Sequence, residues 1–321
     1  MIVLLFFLLL LDFSMRKFVG IGVNSTLIVI GLLGFLLNCK NKDYFTINKN
    51  ISIFLPSLFY SFMSLKIFAF LFAKKSFLLK TFIKFSYLYI FIALIWSIIF
   101  GYDGSKNIFG IKVFYSLGPE GDPNYSSAVI LVTSLFLLIV NKISVKLFIF
   151  INIVSFFMFF SRGALLSFVI ILISLRLTHG QRLFGMIMVF SLQIILIFIL
   201  NIIDDDILLF LSQISSYRTD VWLYMMGLEP VLLTQELASQ KQAHNALVQA
   251  WAFSFTSFII YIVQIVVLTY LTWKSEVFLL VITLFLIGST LNSFTSTYYL
   301  LTIIFIYTLY NKSYMKRSEK I

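Results

Sequence analysis

The chain has 321 residues, of which 61% are hydrophobic, 18% aromatic and only 12% charged, against about 25% charged residues in an ordinary soluble domain. A soluble fold has too little interior to hide so much apolar surface, and the formal charge of +11 is spread over short connections between apolar runs, where membrane topology rather than nucleic acid accounts for it. A single cysteine, Cys39, excludes an internal disulfide framework.

About 20 apolar residues cross roughly 30 Å of hydrocarbon, and lipid offers backbone groups no hydrogen bonds, so the apolar runs read as helices. Stretches such as Leu183 to Ile203 are apolar on every side, unlike the alternating strands of a transmembrane barrel. The opening run Met1 to Leu11 has no basic residue before it and no small-residue cleavage site after it, so it reads as a shortened first helix rather than a secretory signal. Further spans are expected near 18–37, 51–73, 85–100, 125–140, 147–160, 164–175, 183–203, 246–272, 277–291 and 297–310. The expected fold is therefore all-α, a polytopic transmembrane bundle of about 10–12 spans. It forms one membrane domain over residues 1–321 with one large external loop at 204–245.

Orientation follows from Lys142 and Lys146, Arg176 and Arg182, Lys274, and the terminal Lys312, Lys316, Arg317 and Lys320, all of which the positive-inside rule assigns to the cytoplasm. The stretches 101–124, 161–163, 204–245 and 292–296 then lie outside. Near the amino terminus Lys40, Lys42 and Lys49 oppose Arg16 and Lys17, so charge leaves the direction of the first hundred residues open. Residues 147–175 could form one helix of 29 residues, about 44 Å long at 1.5 Å per residue. One crossing, however, would put Lys142 and Lys146 or Arg176 and Arg182 outside. Two short passes joined at Ser161-Arg162-Gly163 keep both pairs inside, and Gly163 suits the turn.

Four polar clusters fall on the external side. In Gly118-Pro-Glu-Gly-Asp-Pro-Asn-Tyr125, Asp122 and Pro123 read as a helix N-cap and first helical residue. Ser161-Arg162-Gly163 carries an arginine at a membrane lip, where snorkelling to water and functional use compete as explanations. Tyr217-Arg218-Thr-Asp-Val-Trp222 sits in a loop with six acidic residues, Asp204, Asp205, Asp206, Asp220, Glu229 and Glu236, and a surface pair of Arg218 with Asp220 is the plain alternative there. Ala243-His244-Asn245 puts an imidazole at the threshold of the next span, where it can serve as general base or donor to an anion; a cap or interfacial residue is the plain reading. His179, beside Arg182, reads as solvated. No second histidine or cysteine stands close enough in sequence for a zinc site. Two arginines and a histidine at one membrane lip suit a lipid-linked diphosphate, because guanidinium forks grip phosphate oxygens bidentately and keep their charge.

Gly121-Asp-Pro-Asn124 before a helix, Ser161-Arg162-Gly163-Ala164 between helices, Arg218 with Trp222 in the large loop and His244-Asn245 before a helix occur in an order that resembles the bacterial O-antigen polymerase and O-antigen ligase superfamily, Wzy-type polymerases included. The resemblance covers about residues 101–260. It departs after His244-Asn245, where an acidic residue and glycines are replaced by Leu247-Val-Gln-Ala-Trp-Ala-Phe-Ser254. It implies a GT-C-like membrane glycosyltransferase, inverting, without metal or other cofactor, acting on undecaprenyl-diphosphate-linked oligosaccharide at the periplasmic side of the bacterial inner membrane. Arg162, Arg218 and His244 would be catalytic. Arg162, Arg218, Asn245, Asp122 and Asn124 would bind substrate, and a chain-length regulator protein and membrane lipids would be partners. A repeat-unit polymerase is preferred over an O-antigen ligase because the loop is compact and a lipid A core acceptor demands a second large binding surface; a protein O-oligosaccharyltransferase would need a peptide-binding region, for which the sequence offers no separate candidate. A lipid-linked oligosaccharide flippase or transporter is the reading from a different class; it predicts inverted repeats and polar groups near the midplane, and the sequence shows no repeat.

Overall fold

The computed structural model describes residues 75–309, apart from 103, 109–110, 201, 215–216, 240–244, 249–254, 292–296, 300, 304 and 307. The expected spans at 18–37 and 51–73, the opening run and His244 lie outside the described residues. Helices dominate: α1 (Lys75–Phe100), α2 (Pro123–Ile139), α3 (Val145–Phe159), α4 (Arg162–Ser174), α5 (His179–Ile199), α6 (Asp205–Ile214), α7 (Arg218–Met225), α8 (Gln235–Ser239), α9 (Phe255–Thr272) and α10 (Phe278–Gly288). The described residues among 297–309 are also helical. By length and composition one helix among the described residues, Leu79–Phe100, is sufficient to cross a membrane; the apolar helices Pro123–Ile139, Val145–Phe159, Arg162–Ser174 and Phe278–Gly288 are shorter.

One element departs from the all-α expectation. Strands β1 (Gly104–Ile108) and β2 (Ile111–Tyr115) form an antiparallel hairpin pairing Gly104 with Tyr115 and Ile108 with Ile111. Ile-Lys-Val-Phe-Tyr has the β-branched and aromatic content that favours strands.

Two helices form the centre. Every residue of α10 is buried, as is every residue of α2 from Ser126 to Leu137. Around them α10 packs on α4, α9 and α2, while α2 packs on α1, α3 and α4. Ring contacts lock neighbours together: Phe136 of α2 stacks on Phe305 at 4.0 Å between centroids, Phe148 of α3 meets Phe168 of α4 at 5.6 Å, and Phe190 of α5 meets Phe285 of α10 at 5.4 Å. Three threonine hydroxyls inside these helices donate to the preceding turn, Thr133 Oγ1 to Val129 O, Thr272 Oγ1 to Leu268 O and Thr283 Oγ1 to Leu279 O, so these three add no unmet polar group to the core, whereas Ser127 Oγ of α2 is buried with no hydrogen-bond partner among the described residues.

Residues 147–175 divide into two helices. Phe160 takes a left-handed conformation (φ 50°, ψ 40°) that closes α3, and Ser161 caps α4 by accepting from Ala164 N at 3.3 Å. Gly163 is therefore not the turn residue that its conformational freedom suggested. It is already helical, and a Cβ built on it would lie 2.6 Å from Thr290 Oγ1, so its role is to let α4 approach the end of α10. The 204–245 stretch, read as a loop, carries α6, α7 and α8.

Hydrogen bonds sort the helix ends into two groups. Asn124, Ser161, Gly163, Arg218, Asn245, Ser289 and Thr290 meet at one end. At the other, buried Arg182 (5% exposed) donates from Nε to Ser174 O at 2.7 Å and from Nη1 to Glu276 Oε2 at 2.9 Å, tying the α4–α5 connection to the α9–α10 connection. Ser174 O belongs to the last turn of α4, where carbonyls have no intrahelical donor. Arg182→Ala is expected to remove both bonds and destabilise the chain by about 1.5–3 kcal/mol, seen as a lower melting temperature of the purified protein, whereas Glu276→Ala, which leaves the Ser174 bond, should cost less.

Candidate functional site

The site is assembled from helix starts. Asp122 is the N-cap of α2: its Oδ1 accepts from Asn124 N at 2.7 Å and Tyr125 N at 3.4 Å, and Pro123 opens the helix. That capping leaves the Asn124 side chain on the first turn, where its Oδ1 accepts from Ser161 Oγ at 3.0 Å. Ser161 in turn caps α4, whose first residue is Arg162. A third helix, α7, begins at Arg218 after Tyr217 in a left-handed conformation (φ 66°).

These three starts face one cleft of about 220 Å³, lined by Asn124, Arg162, Gly163 and Leu166 together with Arg218, Thr290 and Leu291. Helix amino termini carry partial positive charge, so the cleft receives that field in addition to two guanidiniums. Arg162 is exposed and Arg218 half-buried. Burial, and then the neighbouring Arg162 charge, hold the pKa of Arg218 below the ordinary arginine value. Guanidiniums nevertheless keep their proton in proteins, so both stay cationic at neutral pH. Two like charges share a partly desolvated space, a cost that a bound anion removes.

Among the described residues Arg218 bonds to a backbone carbonyl rather than to an acid. Its Nη1 donates to Thr290 O at 3.5 Å. Asp220, the alternative partner, is fully buried and turned elsewhere: its Oδ1 accepts from the backbone N–H groups of Val231, Leu232 and Leu233. A carboxylate that collects three backbone donors holds the 231–233 strip onto α7 and so fixes the element that carries Arg218.

Asn245 is buried and has both ends of its amide in use. Oδ1 accepts from Leu247 N at 2.9 Å and Val248 N at 3.1 Å, and Nδ2 donates to Ser289 O at 3.3 Å. Of the residues singled out in the sequence, Arg162, Arg218 and Asn124 thus line the cleft. Asp122 and Asn245 act beside it as caps, and His244, next to Asn245, lies outside the described residues.

Sequence reasoning missed the platform on which these parts rest. Ser289 and Thr290 end α10, and Gln193 of α5 donates from Nε2 to Ser289 Oγ. The signal was available: two hydroxyl residues directly follow the Phe278–Ile287 run, apolar but for Thr283, and Gly288. Glu120 was missed as well. Tyr89 OH donates to its Oε1 at 3.1 Å and Thr297 Oγ1 to its Oε2 at 2.7 Å, so it joins α1 to the last helical segment.

No known family, no curated protein and no solved structure matches the chain.

Asp220→Ala is expected to strand three backbone N–H groups at a cost of about 1–3 kcal/mol each where water cannot replace the carboxylate. Thermal melting should fall and limited proteolysis between 226 and 239 should accelerate, while Asp220→Asn, which keeps one acceptor oxygen, should be milder.

Proposed function

We propose that the protein is an integral membrane glycosyltransferase of the O-antigen polymerase kind. It moves a glycan from undecaprenyl diphosphate to another lipid-linked repeat unit at the periplasmic face of the bacterial inner membrane. The observation that carries this reading is the shared cleft: Asn124, Arg162 and Arg218, from three of the four motifs that resemble the superfamily, line one cavity although they come from three different helices.

A donor diphosphate placed between Arg162 and Arg218 neutralises their mutual repulsion. As the bond between the anomeric carbon and the diphosphate oxygen breaks, the electron pair stays on the diphosphate, and its negative charge grows. The Arg218 guanidinium, bonded to Thr290 O, and the Arg162 guanidinium, carried on the first residue of α4, stabilise that growing charge as an electrostatic clamp on the leaving group. The acceptor hydroxyl attacks from the opposite face, the new glycosidic bond forms with inversion, and the hydroxyl proton passes to a base, the role assigned to His244. Leu166 and Leu291 give the same cleft an apolar wall, fitting for the first isoprenoid carbons beside the phosphates.

The flippase alternative calls for charged groups along a path through the protein. Asn124, Arg162 and Arg218 instead stand at helix starts gathered at one end, an arrangement that favours chemistry at a surface.

Two measurements test the proposal. With Cys39→Ser as background, an impermeant maleimide applied to intact spheroplasts should label Glu229→Cys and spare Lys142→Cys; the reverse pattern would invert the membrane orientation and end the proposal. Arg162→Ala, Arg218→Ala and His244→Ala should each lower formation of long chains by about 100-fold or more, the size of effect expected from losing a transition-state charge partner, at equal membrane insertion. In detergent with a lipid-diphosphate oligosaccharide, longer lipid-linked chains mark a polymerase and transfer to a lipid A core marks a ligase.

A further inference from the structure

The last turn of α10 does two things at once. The backbone oxygen of Thr290 accepts from Arg218, and the side chain of Thr290 sits where a Cβ of Gly163 would be, 2.6 Å from Oγ1 and 3.0 Å from its own Cβ. Gly163 directly follows Arg162 and shares the first turn of α4 with it. One residue therefore holds one guanidinium through its backbone and limits the approach of the helix that carries the other.

The turn is itself immobilised from several directions. Thr290 N and Leu291 N donate to Ile287 O, each at 2.9 Å, and Thr290 Oγ1 donates to the same carbonyl at 3.1 Å. Ser289 receives Gln193 of α5 on its hydroxyl and Asn245 on its carbonyl, and donates its hydroxyl to Phe285 O at 2.8 Å. Two segments distant in sequence, at Gln193 and Asn245, thus clamp Ser289 beside Thr290, more restraint than closing a helix requires.

We propose that Thr290 is a positioning residue whose contact with the hydrogen face of Gly163 sets the separation of Arg162 and Arg218, and with it the fit of a diphosphate between them. The diphosphate part rests on the function proposed above; the spacing part does not. A side chain at 163 forces α4 or Thr290 to shift, since contacts under 3.0 Å are not found at real Cβ atoms, and with the turn around Thr290 bonded as above it is α4 that gives way in this proposal. Arg162 moves with it, while Arg218 stays tied to Thr290 O. Removing the Thr290 hydroxyl and methyl reopens most of the space, leaving only the 3.0 Å approach to its Cβ.

The test is a double-mutant cycle on the full chain in nanodiscs. Farnesyl diphosphate serves as the probe and inorganic pyrophosphate as its lipid-free control. Gly163→Ala should weaken farnesyl diphosphate binding about tenfold, and Gly163→Ala with Thr290→Ala should recover it to within about threefold of the starting protein, a coupling in the range seen for touching residues. A general loss of stability would not be rescued by a second truncation. A ligand-free readout runs beside it: in a Cys39→Ser background carrying Arg162→Cys and Arg218→Cys, a short bifunctional maleimide should cross-link less efficiently once Gly163→Ala is added, and Thr290→Ala should restore the yield. Unchanged cross-linking on adding Gly163→Ala, or a double variant no better than Gly163→Ala alone, overturns the spacing role. If cross-linking follows the cycle while the unaltered protein binds neither probe, the spacing role stands and the diphosphate assignment falls.

Discussion

A helix that is apolar on every side can form directional contacts with its neighbours almost only at its ends, and that constraint shapes this molecule. Along α2, α9 and α10 the hydroxyls of Thr133, Thr272 and Thr283 turn back to carbonyls of their own helix. Between helices there is mainly shape: stacked rings, and side chains of similar volume. Asn152 is an exception, donating from Nδ2 to Ser134 Oγ at 3.0 Å across the α2–α3 seam. Specific orientation must then come from where helices begin and stop. The two polar end groups, one around Arg182 and one around Ser289 and Thr290, supply it.

The consequence for chemistry is that the same residues serve architecture and site. Asp122 starts α2, and by doing so delivers Asn124 to the cleft. Ser161 starts α4 and simultaneously bonds Asn124 Oδ1. Asn245 caps a short turn and holds Ser289 O. A cap is a local device worth about 1 kcal/mol, yet Asp122 and Ser161 also set the position of groups that face the cavity, and Asn245 holds the residue just before Thr290. Structural and functional explanations of the polar motifs, which compete when each motif is considered alone, are here compatible.

How much of this was legible in the sequence varied with the physical signal. Apolar runs are read by composition, so α2, α3, α4, α5 and α10 begin and end within a few residues of the expected spans, while α1 begins at Lys75, well before the expected 85. The break near 161 was legible from charge, because one crossing would have stranded a basic pair, but its mechanism was not. Glycine in a sequence suggests a turn, and only the neighbouring Thr290, more than a hundred residues away, reveals that Gly163 is small for contact while Phe160 bends the chain. The β1–β2 hairpin was hidden inside a stretch read as a connection. The helices of 204–245 were hidden because amphipathic segments such as Asp205–Ile214 look polar beside their surroundings. Arg162, Arg218 and Asn124 were recognisable because a charge or amide next to apolar runs is conspicuous, whereas Ser289 and Thr290 were taken as the tail of a span.

The buried Asp220 carboxylate bears on timing. With Val231, Leu232 and Leu233 already gathered on its Oδ1, the segment after α7 gives up its conformational freedom when the chain folds and not when a ligand arrives. The helix that brings Arg218 to the cleft is thereby braced before any encounter, so affinity is not eroded by ordering this segment, and the rate of capture is not set by its rearrangement.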